Sequence, residues 1–192
     1  MLRLQDYLEG CSGQRGKFEG YIYKEGKSIP VKDAIWQKQQ MDWDKHYKGV
    51  ETYGLSPVKI IQNGNGLKGV CRWIGFDLDF KPDQLLEPAD FCKKIWRIHP
   101  ELIPYVSSSG RYHVHYYYDD FVPVDDARAK AEEIEKVLIK IFGKVNIDTR
   151  HTVPNFWKAD QNKPGYWLFM PYSDNKDLKA KTKCLSPRGR PP

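Results

Sequence analysis

An α+β fold, with an antiparallel sheet covered on one face by two helices, is what this sequence predicts. Three observations carry that expectation. From residue 70 onward, extended and helical patterns alternate in the order β-α-β-β-α-β. Within 125–142, Ala127, Ala131, Ile134, Leu138 and Ile141 recur at steps of three and four, one apolar helix face. The 192 residues, 40% hydrophobic and 29% charged, are enough for one globular domain with its own core.

Taken in order, 17–23 (Lys-Phe-Glu-Gly-Tyr-Ile-Tyr) reads as a strand. Asp33, Ala34, Ile35 and Trp36 open a helical stretch that fades near Gly49, with Trp36, Gln40 and Trp43 read as packing residues. The segment 58–61 is a short strand running into Asn63-Gly64-Asn65-Gly66, a turn signal. Next come a strand over 70–80 and a helix over Pro88–Ile98, with proline in its first turn. A second strand spans 102–107, a tight turn 108–110 and a third strand 111–118. The helix 125–142 follows, then an extended segment from Val145 to Asp148 and a last strand candidate at 166–170. This order is that of the ferredoxin-like, or RNA-recognition-motif-like, sheet. The core is expected over 58–172. The stretch 173–192, with Lys176, Lys179, Lys181, Lys183, Arg188 and Arg190 and a closing Pro-Pro, is a basic tail or linker. A solvated linker to a further domain is favoured there over a phosphate-contacting arm.

Composition excludes several function classes. No run has the apolar length of a membrane helix, and the first residues lack a stretch of signal-peptide type. Cys11, Cys71, Cys92 and Cys184 show no C-x-x-C spacing and no histidine at finger spacing. A zinc site is therefore not expected, and reduced thiols in the cytoplasm are. A formal charge of +6 with 14% aromatic residues suits a polyanionic partner such as single-stranded nucleic acid, although most of the rings are read as core.

Alternation along 73–80 puts Ile74, Phe76, Leu78 and Phe80 on the helix-covered face and Trp73, Gly75, Asp77 and Asp79 on the open one. Two carboxylates two residues apart repel each other, and folding does not require them on so apolar a strand. A hard divalent cation, Mg²⁺ or Mn²⁺, would remove the repulsion. On the third strand Tyr112, Val114, Tyr116 and Tyr118 form the core face, which leaves Arg111, His113, His115 and Tyr117 opposite. In the expected strand order 4-1-3-2, the end of strand 1 lies beside the starts of strands 3 and 4. Asp77, Asp79, Arg111, His113 and Asp148 then converge on one patch, the residue set of a two-metal site with phosphate binders.

These residues resemble the archaeo-eukaryotic primases, including the primase-polymerases of plasmids and phages. The matching segments are Ile74-Gly75-Phe76-Asp77-Leu78-Asp79, then Ser109-Gly110-Arg111-Tyr112-His113, then Ile147-Asp148, within a resemblance spanning roughly 58–170. It implies that Asp77, Asp79 and Asp148 bind two catalytic Mg²⁺ or Mn²⁺ ions and that His113 contacts the phosphates of an incoming nucleotide. It implies as well a catalytic domain over 1–172, in which 1–57 forms the smaller αβ unit. Substrates would be nucleoside triphosphates and a single-stranded DNA template, with a helicase or further domain beyond the tail as partner. Arg111 stands two before His113, where the family often has serine, and Ser109 stands four before it. Arg150, Pro154 and Lys158 loosely echo a later family segment, which makes Lys158 a candidate phosphate contact alongside Ser109 and Arg111.

Two other functions compete. His113-Val114-His115 matches the His-hydrophobic-His pattern of rolling-circle HUH endonucleases, in which both histidines bind a metal and a helical tyrosine attacks DNA. The helix 125–142 contains no tyrosine, and the Asp77–Asp79 pair would have no role there. A non-enzymatic RNA-recognition-motif-like binding module would place aromatic rings, not carboxylates, on the open face.

Overall fold

The computed structural model describes residues 16–17, 20–24, 27–31, 43–48, 50, 52–55, 57–64, 66–106, 111–143, 168–169 and 183–184. The described strands are β1 (Gly16–Lys17), β2 (Gly20–Lys24), β3 (Lys27–Val31), β4 (Thr52–Leu55), β5 (Val58–Asn63), β6 (Gly66–Leu78), β7 (Ile103–Val106), β8 (Tyr112–Pro123), β9 (Leu168–Phe169) and β10 (Lys183–Cys184). The helices are α1 (Trp43–Tyr47), α2 (Pro88–Ile98) and α3 (Val124–Phe142). The α+β class expected from the sequence is observed.

The strands form two antiparallel sheets, one in the order β1-β5-β6-β8-β7-β10 and a smaller one in the order β3-β2-β4-β9. A tight hairpin joins β5 to β6 through the Asn-Gly-Asn-Gly turn, where Gly64 takes a positive φ of 51° that side chains other than glycine rarely adopt. The adjacency β6-β8-β7, with α2 between β6 and β7 and α3 after β8, agrees with the first three strands of the expected order. Among the described residues the neighbour of β6 on its other side is β5, paired along Gly66–Cys71 only. The segment 145–148 lies outside the described residues. Within 166–170, β9 pairs with β4 in the smaller sheet, so this strand does not belong beside β6. Alternation cannot decide which sheet a short apolar strand joins.

The core forms where α2 and α3 cover one face of β6 and β8. Ile74, Phe76 and Leu78 are fully buried against Phe91, Cys92 and Ile95 of α2 and Ala127, Ala131, Ile134 and Leu138 of α3. Phe142 closes the end of the α3 stripe, while Ile141, expected on that face, packs only half-buried at its margin. Gly143, at φ 82°, caps the helix by donating its N–H to the Ile139 carbonyl at 2.8 Å.

An aromatic cluster anchors the start of β8. Tyr112 stacks on Phe91 with ring centroids 3.9 Å apart, and Phe80 meets both rings edge-on. The Tyr112 hydroxyl donates to the Leu86 carbonyl at 2.6 Å. Burial pushes that phenol up to about 12, with the Glu87 carboxylate adding to the shift. Tyr112 is thereby pinned to the helix side, and its neighbours Arg111 and His113 are directed to the other face.

Candidate functional site

The face of β6 and β8 away from the helices was expected to be open; it is closed over most of its length. Trp73, His115, Tyr105 and His113 are all at least nine-tenths buried there. Exposure rises at the strand end, where the side chain of Asp77 is 28% exposed and that of Asp79 48%. The rings on this face pack on one another. His115 stacks on Trp73 at 5.1 Å and tilts against Tyr105 at 4.6 Å. Its Nδ1 shares a hydrogen bond of 3.0 Å with the Tyr117 hydroxyl, which in turn shares one of 3.0 Å with the Tyr105 hydroxyl. Burial holds the His115 imidazole well below its ordinary pKa, and nearby His113 adds to the effect, so His115 is neutral.

The register sets what meets what. Asp77 pairs directly with His113, Gly75 with His115, and Tyr105 of β7 with His113 from the far side. His113 Nε2 stands 3.5 Å from Asp77 Oδ1. Leu78 pairs with Tyr112, so Asp79 and Arg111 face each other one position further on, and the Arg111 guanidinium forms an ion pair with the Asp79 carboxylate. Each carboxylate thus has a partner on the neighbouring chain segment.

Four of the residues singled out in the sequence, Asp77, Asp79, Arg111 and His113, are brought together. Asp148, Ser109 and Lys158 lie outside the described residues. Among the described residues no three His, Cys, Asp or Glu side chains form a group able to hold a metal ion. The two partly exposed carboxylates on one strand face offer hard oxygen donors, the type that Mg²⁺ and Mn²⁺ take. His115 is unsuited to join them: its ring lies between Trp73 and Tyr105, and its Nδ1 is engaged by Tyr117.

The Tyr105–Tyr117–His115 chain of hydrogen bonds was not read from the sequence. Alternation places Tyr117 and His115 on this face, but the contribution of β7 depends on its register with β8. A second unread feature is the irregularity between Cys71 and Trp73, where β8 spends Tyr118 to Phe121 opposite Arg72 alone. Arg72 fastens this bend, donating to the Asp119 carbonyl at 2.7 Å, and both Arg72 and Lys59 lie over the Phe121 ring.

The sequence matches no protein-family description and no curated protein. Among solved structures, the chain is similar to the polymerase domain of Mycobacterium tuberculosis ligase D in complex with DNA. That likeness has 14% sequence identity and a TM-score of 0.42, and covers 97% of this chain and 76% of the other. Such a score is below the level at which two chains share a fold. No helix among the described residues is long and apolar enough to cross a membrane.

Proposed function

We propose that the protein is a nucleotidyltransferase, a DNA primase or polymerase that joins nucleoside triphosphates along a single-stranded DNA template. One observation carries this reading. The end of β6 and the segment entering β8 gather two carboxylates, a guanidinium and an imidazole beside a buried layer of aromatic and apolar groups. Charge placed beside a closed core costs folding energy, and a ligand that carries both phosphates and divalent cations uses both signs of it.

Asp77 and Asp79, together with Asp148, would hold Mg²⁺ or Mn²⁺. When bound, such ions neutralise the triphosphate and lower the pKa of the attacking hydroxyl. Arg111 supplies a planar fork of N–H donors that orients phosphate oxygens, and His113 donates a further hydrogen bond to them. Ser109 and Lys158 would add phosphate contacts. His113 is 6% exposed and held between Asp77 and Tyr105, so its ring keeps one orientation without waiting for the substrate. The closed Trp73–His115–Tyr105 layer excludes water from beneath the patch.

In this reading 145–148 provides the fourth strand of an RNA-recognition-motif-like sheet, beside the second half of β6, and so delivers Asp148. Residues 1–57 supply β2, β3 and β4 of the smaller sheet and β1 of the larger, and the segment 173–192, whose Lys183–Cys184 pairs with β7, would lead on to a helicase or further domain. The test is incubation with single-stranded DNA, nucleoside triphosphates and Mg²⁺ or Mn²⁺, without a primer. Products should appear with the wild-type chain and not with Asp77→Asn. Absence of products from the wild-type protein, or equal synthesis by the variant, would overturn the proposal.

A further inference from the structure

Two carboxylates on one strand face repel each other, and β8 and the residue before it meet each with one partner. The two partners differ in freedom. His113 is 6% exposed and fixed by its register with both Asp77 and Tyr105. Arg111 precedes the strand, its side chain is 35% exposed, and the Asp79 carboxylate it grips is 48% exposed. Of the two, only Arg111 has the long, solvent-facing side chain that can let go without disturbing the sheet.

A guanidinium stays charged at every pH at which the protein is folded. It therefore compensates Asp79 permanently, and a carboxylate oxygen engaged by it is not free to ligate a cation. We propose that Arg111 is the counter-ion of Asp79 in the metal-free protein, that a divalent cation binds by displacing it, and that the released guanidinium then turns to the phosphates of the nucleotide. This inference rests on the nucleotidyl-transfer reading of the site. It makes Arg111 a positioning residue with two alternating partners. It also makes metal and phosphate binding mutually favourable, because a phosphate that draws Arg111 away unmasks Asp79, and a cation on Asp79 frees Arg111. A residue serving only as a fixed phosphate contact would leave metal affinity unchanged in the absence of nucleotide.

The experiment uses Mn²⁺ alone. The full chain and its Arg111→Gln, Arg111→Lys and Asp77→Asn variants are titrated with Mn²⁺, without nucleotide, following free Mn²⁺ by electron paramagnetic resonance. Circular dichroism melts confirm that each is folded. Arg111→Gln should bind at least about threefold more tightly than wild type, the fold-change to which an exposed ion pair of about 0.7 kcal/mol corresponds. Arg111→Lys, which keeps the charge, should stay near wild type, and Asp77→Asn should bind more weakly. If Arg111→Gln binds equally or less tightly while Asp77→Asn is weakened, the counter-ion role is overturned and the nucleotidyl-transfer reading survives. If Mn²⁺ binds none of the chains, or binds Asp77→Asn as it binds wild type, the reading itself fails and the counter-ion role with it.

Discussion

Acidifying the protein from neutral pH to 5.5 should cost it stability through one side chain, His115. Its ring is 1% exposed, stacked on Trp73 and hydrogen-bonded through Nδ1 to Tyr117, and burial keeps it from taking a proton. In the unfolded chain the same imidazole titrates near its ordinary value of 6.5. Below that pH the unfolded state binds a proton that the folded state does not, so the stabilisation is complete above about 6.5 and is lost as pH falls. One unit below the unfolded value the loss is RT ln(1 + 10), about 1.4 kcal/mol. For a chain of this size that lowers the melting temperature by about 3–6 °C. Thermal melts of wild type and His115→Gln at pH 7.5 and 5.5 isolate this residue, because every other titrating group is common to both. The wild type should lose about 1.4 kcal/mol more than the variant over that interval. Equal losses would mean that His115 is not held neutral, and the account of a closed face would be wrong.

Three further outcomes are expected. His113→Ala should weaken nucleoside triphosphate affinity between tenfold and somewhat over a hundredfold, as for a charge-assisted hydrogen bond of about 1.5–3 kcal/mol, while Mn²⁺ binding persists; isothermal titration with a non-hydrolysable triphosphate reads both. Phe91→Ala should cost about 3–5 kcal/mol in urea denaturation, because the ring is fully buried and stacked on Tyr112, whose position sets the start of β8. Tyr112→Phe should cost about 1 kcal/mol, the value of its hydrogen bond to the Leu86 carbonyl, and should remove the high phenol titration near 12 from an ultraviolet pH titration.

How much of this was legible in the sequence depended on whether a feature is local. The helix Pro88–Ile98 and the stripe through Ala127, Ala131, Ile134 and Leu138 follow from period and a first-turn proline, and the structure has them at those positions. The meeting of Asp77 with His113 follows from antiparallel pairing of two strands whose helix-facing sides were already fixed by Ile74, Phe76, Tyr112 and Val114. Pairings that a residue's own neighbours do not determine were not legible. The bend at Tyr118 to Phe121 has no glycine or proline to announce it and is held by Arg72 from the opposite strand. The packing of His115 between Trp73 and Tyr105 joins three strands and depends on their mutual register. The strand at Leu168–Phe169 joins the sheet of β4, a choice of partner that alternation does not reveal.

The central claim is that Asp77, Asp79 and Asp148 form one cation site facing Arg111 and His113. Crystals grown with Mn²⁺ and a non-hydrolysable nucleoside triphosphate, measured at a wavelength where manganese scatters anomalously, test it most directly. The account predicts an anomalous peak about 2.0–2.2 Å from carboxylate oxygens of all three aspartates, the spacing of a small octahedral divalent ion, with the triphosphate on Arg111 and His113. A manganese peak elsewhere, or Asp148 lying beyond reach of a cation bound by Asp77 and Asp79, would contradict it.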